Sequence, residues 1–228
     1  MPRKARVLIP NCPHHIVQRG HNRKAIFLQE ADYQYYLENL LEWKLKLSIK
    51  IYAWCLMTNH IHIIAEPGPD ETSISLMMKQ INGRHTAYMN TLEGRSGSLW
   101  NGRFKASPVQ REAYLVKCCH YVELNPVAAG IVNHPEEYPW SSFRSRMGNI
   151  CCRLFDEDDC YRRLGSTSKE RQSNYLAITC NSTVIRFFED SVNRNQLTGN
   201  NRFIDEVEYR TGLRIEARSR GRPTKISL

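Results

Sequence analysis

An apolar run that contains two histidines constrains the fold more than any other stretch of this chain. Residues 52–65 read YAWCLMTNHIHIIA, which predicts two buried β-strands joined by a tight turn. Alternate side chains of a strand share a face, so His60 and His62 point the same way and Ile61 points into the opposite layer. At a rise of roughly 3.3 Å per residue, the two imidazoles lie about 7 Å apart and can bind one metal ion, provided that their rotamers converge and a third ligand comes from elsewhere.

A later helix offers that ligand. Apolar residues recur at helical spacing within 111–125, which predicts a helix with one buried face. Tyr121 and Asn125 are four residues apart, so they lie on one neighbouring face, separated by one turn. A phenol and an amide oxygen placed in this way can supply a nucleophile and a metal ligand to one site. Pro126 disfavours the α region at the residue before it, and Asn125 could equally cap the end of the helix.

Together these features resemble the HUH single-strand endonucleases, and more closely the one-tyrosine transposases and their REP-associated members in bacteria. Five stretches carry the resemblance in order over about two-thirds of the chain: HIVQRG at 15–20, MTNHIH at 57–62, GSLWNGRFK at 97–105, YVELNPV at 121–127 and HPEEYPWSS at 134–142. One departure is Ala128, where relatives usually carry arginine. This change removes one possible phosphate contact and touches no catalytic role.

The resemblance implies a reaction and the residues that perform it. Tyr121 would attack single-stranded DNA and form a 5′-phosphotyrosine, leaving a free 3′-OH. His60, His62 and Asn125 would bind Mg²⁺ or Mn²⁺, and the DNA would be a hairpin of a repetitive extragenic palindrome. Insertion-sequence relatives work as dimers with shared active sites, whereas a chain with an added C-terminal segment looks more compatible with a monomer.

The order of predicted elements, β-α-β-β-α-β-α, indicates an α+β fold in which helices pack on an antiparallel sheet. This agrees with the ferredoxin-like or RRM-like core that the resemblance implies. The elements outside the hairpin are strands at 14–20 and 105–109 and helices at 29–47, 72–91 and 111–125. Composition changes after residue 148, so we predict a catalytic domain at 1–148 and an accessory DNA-binding extension at 149–228, with short helices at 182–193 and 202–211 and a basic tail.

The chain carries a formal net charge of +9, which suits a polyanionic partner. The candidate DNA contacts are Arg19, Arg23, Lys24, Trp100, Arg103, Lys105, Lys117, Arg218, Arg220 and Arg222. Aromatic residues among cations are typical of surfaces that stack bases and neutralise phosphates, although Trp100 could equally be a core residue. The segment RGRP at 220–223 matches the core of an AT-hook, which reads the minor groove; a solvated basic tail is the alternative.

Other features of the sequence bear on location and on the remaining polar residues. The eight cysteines include no CxxC pair, and no apolar run reaches the roughly 18 residues of a membrane span. With no apolar signal-peptide segment at the N-terminus, we expect a cytoplasmic, nucleoid-associated protein with free thiols. We expect His14 and His15 to be structural, His120 to lie on the surface, and Glu123 to lie on the surface or behind the site.

The sequence therefore predicts a metal-dependent, single-strand-specific DNA endonuclease and strand transferase, and the resemblance implies that it mobilises REP-type hairpins. A relaxase or rolling-circle initiator would share the chemistry, but the compact single-tyrosine layout argues against it. A catalytically silent DNA- or RNA-binding regulator could use the same fold. The intact set of His60, His62, Tyr121 and Asn125 argues against that alternative.

Overall fold

The sheet at the centre of the protein has four antiparallel strands. A computed structural model describes residues 6–215. Its strands are β1 (His14–Arg19), β2 (Lys50–Met57), β3 (His60–Glu66) and β4 (Lys105–Pro108). They lie in the order β2-β3-β1-β4, and each neighbouring pair is antiparallel.

Helices cover both faces of this sheet. In chain order the described part contains α1 (Glu30–Lys46), α2 (Thr72–Leu92), α3 (Val116–Glu123), α4 (Asn125–Ala128), α5 (Phe143–Arg146), α6 (Asp159–Arg162), α7 (Ser168–Leu176), α8 (Ser182–Arg194) and α9 (Asn201–Thr211). α1 and α2 pack over one face, and α3 packs over the other. This element order and strand order are those of the ferredoxin-like fold, so the predicted fold class is confirmed.

Side-chain alternation decides which residues face which layer. Ile16 of β1 lies opposite Ile63 of β3 and Ala106 of β4, and all three belong to the core beneath α1 and α2. The intervening residues face α3 instead, because successive side chains of a strand point to opposite faces. Val17 lies opposite His62 in the same register. The predicted separation of the histidines from the isoleucines is therefore confirmed.

The helix that carries Tyr121 ends where the sequence predicts an interruption. A π-helical turn at Arg111–Leu115 leads into α3, which ends at Glu123, and α4 begins at Asn125. Proline at the second position of α4 costs no intrahelical hydrogen bond, because the first N–H groups of a helix have no partner within it. α3 and α4 are therefore separated at Leu124, three residues after Tyr121.

The C-terminal part packs against the core through several contacts. α8 lies against β4 and β1. Thr198 forms an isolated parallel β-bridge with Val109, just after β4. Arg111 forms ion pairs with both Glu66 of β3 and Asp158. α8 and α9 confirm the two predicted short helices, whereas the boundary at residue 148 stays a prediction. Within residues 6–215, no helix is long and apolar enough to cross a bilayer.

A buried ion pair lies beneath α3. Glu123 is 0% exposed and Arg146 is 4% exposed. Arg146 Nε donates to both carboxylate oxygens at 3.0 Å, and its Nη2 donates to the Tyr52 carbonyl at 2.6 Å. Ser142 Oγ and Tyr175 Oη also donate to the carboxylate, at 2.5 and 2.6 Å. Glu123 is thus fully enclosed by groups far along the chain.

Two expectations about α3 are corrected by this packing. A surface position for Glu123 is wrong, because Arg146 and Tyr175 cover it. The expected surface position of His120 is also wrong: it is 6% exposed, and its ring meets Tyr175 edge-on with centroids 5.1 Å apart. Helical periodicity identifies only the apolar face of α3. Glu123 and His120 lie on a second face, which is buried but polar, so their burial was missed.

Glu123→Gln should destabilise the protein by about 3–5 kcal/mol, because it leaves the Arg146 guanidinium buried without its counter-charge. Urea unfolding followed by circular dichroism measures the change. The matched control is Glu157→Gln, which breaks the exposed pair with Arg162 (3.6 Å) and should cost less than about 1 kcal/mol. Equal costs for the two variants would contradict the structural role of the buried pair.

Candidate active site

Tyr121 of α3 lies directly over the histidines of β3. Its ring centroid is 6.0 Å from that of His62, with the planes at 83°. The rings of His60 and His62 are 5.0 Å apart. His15 of β1 completes the cluster, 5.2 Å from His62 and 5.9 Å from Tyr121. The fold therefore brings the predicted nucleophile and both predicted histidine ligands together.

Neighbouring groups orient each imidazole. His60 Nδ1 shares a hydrogen bond with Asn59 Oδ1 (2.6 Å), and the Asn59 amide donates to the Arg23 carbonyl (3.2 Å). His62 Nδ1 shares a hydrogen bond with His15 Nε2 (2.9 Å). In both rings Nδ1 is thus engaged by a protein group, which leaves Nε2 as the nitrogen that can bind another ligand.

Burial keeps these imidazoles neutral. Burial, together with the charge of Arg19, lowers the pKa of His60 to about 4. Burial also lowers the pKa of His62 well below its usual range, with smaller contributions from His15, His60 and Arg19. A neutral imidazole has a free lone pair, which is the form that binds a metal. Both side chains are therefore in the ligand-competent state at neutral pH.

The side chain of Asn125 caps the end of α3. Its amide nitrogen donates to the carbonyls of Tyr121 (2.9 Å) and Val122 (3.3 Å), which agrees with the alternative that it caps the helix. These bonds leave the amide oxygen free of the helix end. Within residues 6–215, no three His, Cys, Asp or Glu side chains are arranged to hold a metal. A cation here would need Asn125 beside the two histidines, and imidazole with amide oxygen suits Mn²⁺ and acceptably Mg²⁺.

Glu189 of α8 is a functional candidate that the sequence did not reveal. The Phe188 ring packs 5.6 Å from the Tyr121 ring. Burial and then the negative charge of the nearby Glu189 raise the pKa of the Tyr121 phenol. The Asn125 side chain acts on this pKa in the opposite direction. The apolar residues of α8 indicate that this helix packs against the rest of the protein. Nothing in the sequence near α8 indicates that it packs against Tyr121.

Comparison with known proteins fits this geometry. The family model described as "Transposase IS200 like" matches residues 9–125. The chain belongs to the IS200-like transposase family. The resemblance to one-tyrosine transposases that the motifs carry is thus confirmed as family membership. No curated protein sequence matches this transposase significantly.

One solved structure supports the fold. This transposase is similar to a REP-associated tyrosine transposase bound to a REP hairpin, at 21% identity and a TM-score of 0.57 over 69% of this chain and 93% of that one. It also matches a protein described as a transposase from Deinococcus radiodurans R1, at 16% identity and a TM-score of 0.37 over 54% of this chain and 96% of that one. The first of these structures shares the predicted HUH fold.

The candidate DNA contacts fall into four groups. Those exposed in the structure are Arg19, Arg23, Lys24, Arg103 and Lys117. Lys105 is half-buried and donates to Asn193 Oδ1 of α8 at 3.0 Å. Trp100 is only 6% exposed and donates through Nε1 to the Asn82 carbonyl at 3.0 Å, which is the packing of a core residue. Arg218, Arg220, Arg222 and the AT-hook motif lie outside the described residues.

The buried histidines of β1 are structural, as expected. His14 Nε2 accepts a hydrogen bond from the Ile9 amide at 3.0 Å. Burial lowers the pKa of His14 to about 4 and that of His15 to about 3. Both rings are neutral inside the folded protein. When unfolded, they titrate near the usual histidine value of about 6.5.

The free energy of unfolding should therefore fall as the pH is lowered from 7 to 5. The unfolded chain binds a proton at His14 below about 6.5, whereas the folded chain binds it only near 4, so acid favours unfolding. His14→Gln keeps an acceptor for the Ile9 amide and should reduce this acid loss by about 1–2 kcal/mol. Urea unfolding of both proteins at the two pH values measures it. The same acid loss in variant and wild type would refute the assignment.

Proposed function

We propose that this transposase is a metal-dependent single-stranded DNA endonuclease and strand transferase that cleaves at REP-type hairpins. The observation that carries the proposal is the packing of Tyr121 over His62, with His60 beside it. Asn125 follows one helical turn after Tyr121 and contacts its phenol. A nucleophilic side chain next to paired metal ligands on a rigid strand suits covalent catalysis on a phosphodiester.

The metal would be held by His60 and His62 through Nε2 and by Asn125 through its amide oxygen. Mg²⁺ or Mn²⁺ bound there would polarise and orient the scissile phosphate. The protein's own contribution is to keep both imidazoles neutral and their Nδ1 atoms engaged. These features do not depend on the DNA sequence, so they support the chemistry rather than the choice of target.

Tyr121 must lose its proton when it attacks. Its pKa lies above the usual value of about 10, so the phenol is protonated at neutral pH and needs an acceptor. Glu189 supplies a carboxylate next to the hydroxyl. We propose that Glu189 takes the proton as the tyrosine oxygen bonds to phosphorus. The 3′ oxygen then leaves and becomes a 3′-OH after it binds a proton.

The resulting phosphotyrosine conserves the phosphodiester energy. A 3′-OH of another strand can attack it, release Tyr121 and rejoin the DNA without ATP. A net charge of +9 and the exposed Arg19 beside His60 favour a polyanionic substrate. The similar structure of a REP-associated tyrosine transposase contains a REP hairpin, which supports a hairpin as substrate and a location at the nucleoid.

The arrangement also favours a monomer. Tyr121 packs over His62 of its own chain, so one protomer carries the nucleophile and both histidines. A dimer that exchanges the tyrosine helix would need to separate α3 from β2 and β3, against which it packs. No partner subunit has to complete the site.

A DNA-binding regulator without cleavage is the second candidate. The observation that favours it is the low exposure of Tyr121, at 8%. DNA must displace side chains of α8 before a phosphate reaches the hydroxyl. The two candidates differ in whether a covalent protein–DNA product forms.

Incubation of labelled hairpin DNA with Mg²⁺ or Mn²⁺ should yield a covalent protein–DNA band on a denaturing gel. Tyr121→Phe should abolish the band and leave binding intact, because the phenol oxygen forms the bond. His62→Ala should abolish the dependence on metal and lower the yield strongly. The control is Tyr114→Phe, which removes a phenol from the π-helical turn that leads into α3. This variant should retain the band. Binding without adduct or cleavage, over several hairpins and both metals, would favour the regulator.

Glu189→Gln should slow adduct formation by about 100-fold, the lower end of the range for a lost general base, and leave the affinity for DNA unchanged. Single-turnover gel assays measure the rate. Asp190→Asn is the matched control. Asp190 follows Glu189 in α8, and within the described residues its ion pair is with Arg194 of the same helix. A faster reaction in Glu189→Gln would mean that the carboxylate only hinders ionisation of Tyr121.

A further inference from the structure

We propose that a cavity between α2 and the loop before β4 binds one nucleotide of the DNA strand. Its phosphate would lie among Arg6, Lys79 and Arg103, and its base would lie against Trp100 and the side chain of Asn82. This inference rests on the proposed function and adds a subsite of the substrate to it. The cavity measures about 570 Å³, within the range of about 300–1,000 Å³ that is common for small-molecule sites.

The charge of the cavity indicates an anion. Arg6, Lys79 and Arg103 line it, and its described lining contains no acidic side chain. Burial and the neighbouring charge of Arg103 lower the pKa of Arg6, which means that two like charges lie close together. A phosphate between them would relieve this repulsion and accept hydrogen bonds from both guanidinium groups.

The Arg6 guanidinium is already oriented for such a contact. It stacks on the Phe104 ring, 3.8 Å from the centroid. Stacking uses the face of the guanidinium and leaves its N–H groups, which lie in its plane, free for an oxygen ligand. This geometry is typical of arginine in nucleic-acid recognition.

The opposite wall offers a group that suits a base. Asn82 Oδ1 is buried and has no hydrogen-bond partner among residues 6–215. An unsatisfied buried acceptor costs roughly 1–3 kcal/mol, which a donor from a ligand would recover. The exocyclic amine of a nucleobase is such a donor. Trp100 also lines the cavity, and its Nε1 donates to the Asn82 carbonyl (3.0 Å), so an aromatic side chain and an acceptor would meet the ligand together.

The cavity is connected to the candidate active site through β1. Trp100 bridges Gly20, and the Asn101 amide donates to the Arg19 carbonyl at 2.8 Å. Arg19 in turn lies opposite His60 in the sheet register. The cavity lies on the α2 side of the sheet and the histidines lie on the α3 side. A single strand leaving the histidines would therefore pass Arg19 at the end of β1 and turn around the end of the sheet to reach Arg103. A base paired in a duplex cannot enter it, so the subsite would favour unpaired DNA.

The test combines binding with crosslinking. Labelled hairpin DNA with single-stranded flanks is titrated with wild type and with Lys79→Gln/Arg103→Gln at several salt concentrations. We expect about a tenfold loss of affinity and a salt slope reduced by about 0.7 for each phosphate contact removed. Arg162→Gln/Lys169→Gln, which removes the same charge from α6 and α7, should keep the wild-type slope.

The second measurement places 5-iodo-deoxyuridine at each unpaired position in turn and irradiates the complex with wild type. We expect one position to crosslink to the peptide that contains residues 98–104. Asn82→Leu should weaken binding of the unsubstituted hairpin while its Tyr121 adduct still forms. An unchanged slope in the double variant, or crosslinks only outside this peptide, would overturn the proposal.

The outcome separates this proposal from the proposed function. If wild type forms the Tyr121 adduct and the cavity variants bind DNA normally, the subsite is refuted and the endonuclease remains. If wild type neither binds hairpin DNA nor forms an adduct, both are refuted. Binding of free deoxynucleoside monophosphates that Lys79→Gln/Arg103→Gln abolishes, with no change in DNA binding, would assign the cavity to a free nucleotide and overturn its place on the strand.

Discussion

The buried carboxylate of Glu123 fixes the helix on which the chemistry depends. It accepts hydrogen bonds from Ser142 and Arg146 at the two ends of α5 and from Tyr175 of α7. Residues two positions apart on a helix point to roughly opposite sides, so Glu123 holds one side of α3 while Tyr121 faces the sheet from the other. A buried ion pair stabilises little against an apolar replacement. We infer that its value here is to set the rotation of α3, and with it the position of Tyr121, the proposed nucleophile.

Local patterns were sufficient to predict the fold and the centre of the site. Strand alternation places His60 and His62 on one face, and helical spacing places Tyr121 and Asn125 on another. The order of elements is sufficient to predict the ferredoxin-like sheet, because short connections leave few ways in which four such strands can pair. Each of these inferences uses residues that are close in sequence, and the structure confirms the faces and the order.

The remaining features depend on contacts between distant segments. The bond between His15 and His62 joins residues 47 positions apart, and the Tyr175 bond to Glu123 joins residues 52 apart. No periodicity in either segment encodes these pairs. The pattern around Trp100 is ambiguous for a different reason: aromatic residues among cations describe both a base-stacking surface and a core residue with solvated neighbours. Burial decides between them only after folding, and here Trp100 is only 6% exposed.

Helix α8 of the C-terminal part changes the electrostatics of the candidate site, wherever the boundary between the two parts of the chain lies. The family match ends at residue 125, so it includes Tyr121 and Asn125 but neither Phe188 nor Glu189. An amide such as that of Asn125 can orient a phenol, but it is too weak a base to take up the proton. A carboxylate can take it up, although its charge also raises the energy of the phenolate. The pKa of Tyr121 is therefore set partly by α8, and a change in α8 would alter the proposed reaction even where every residue of the matched segment is retained.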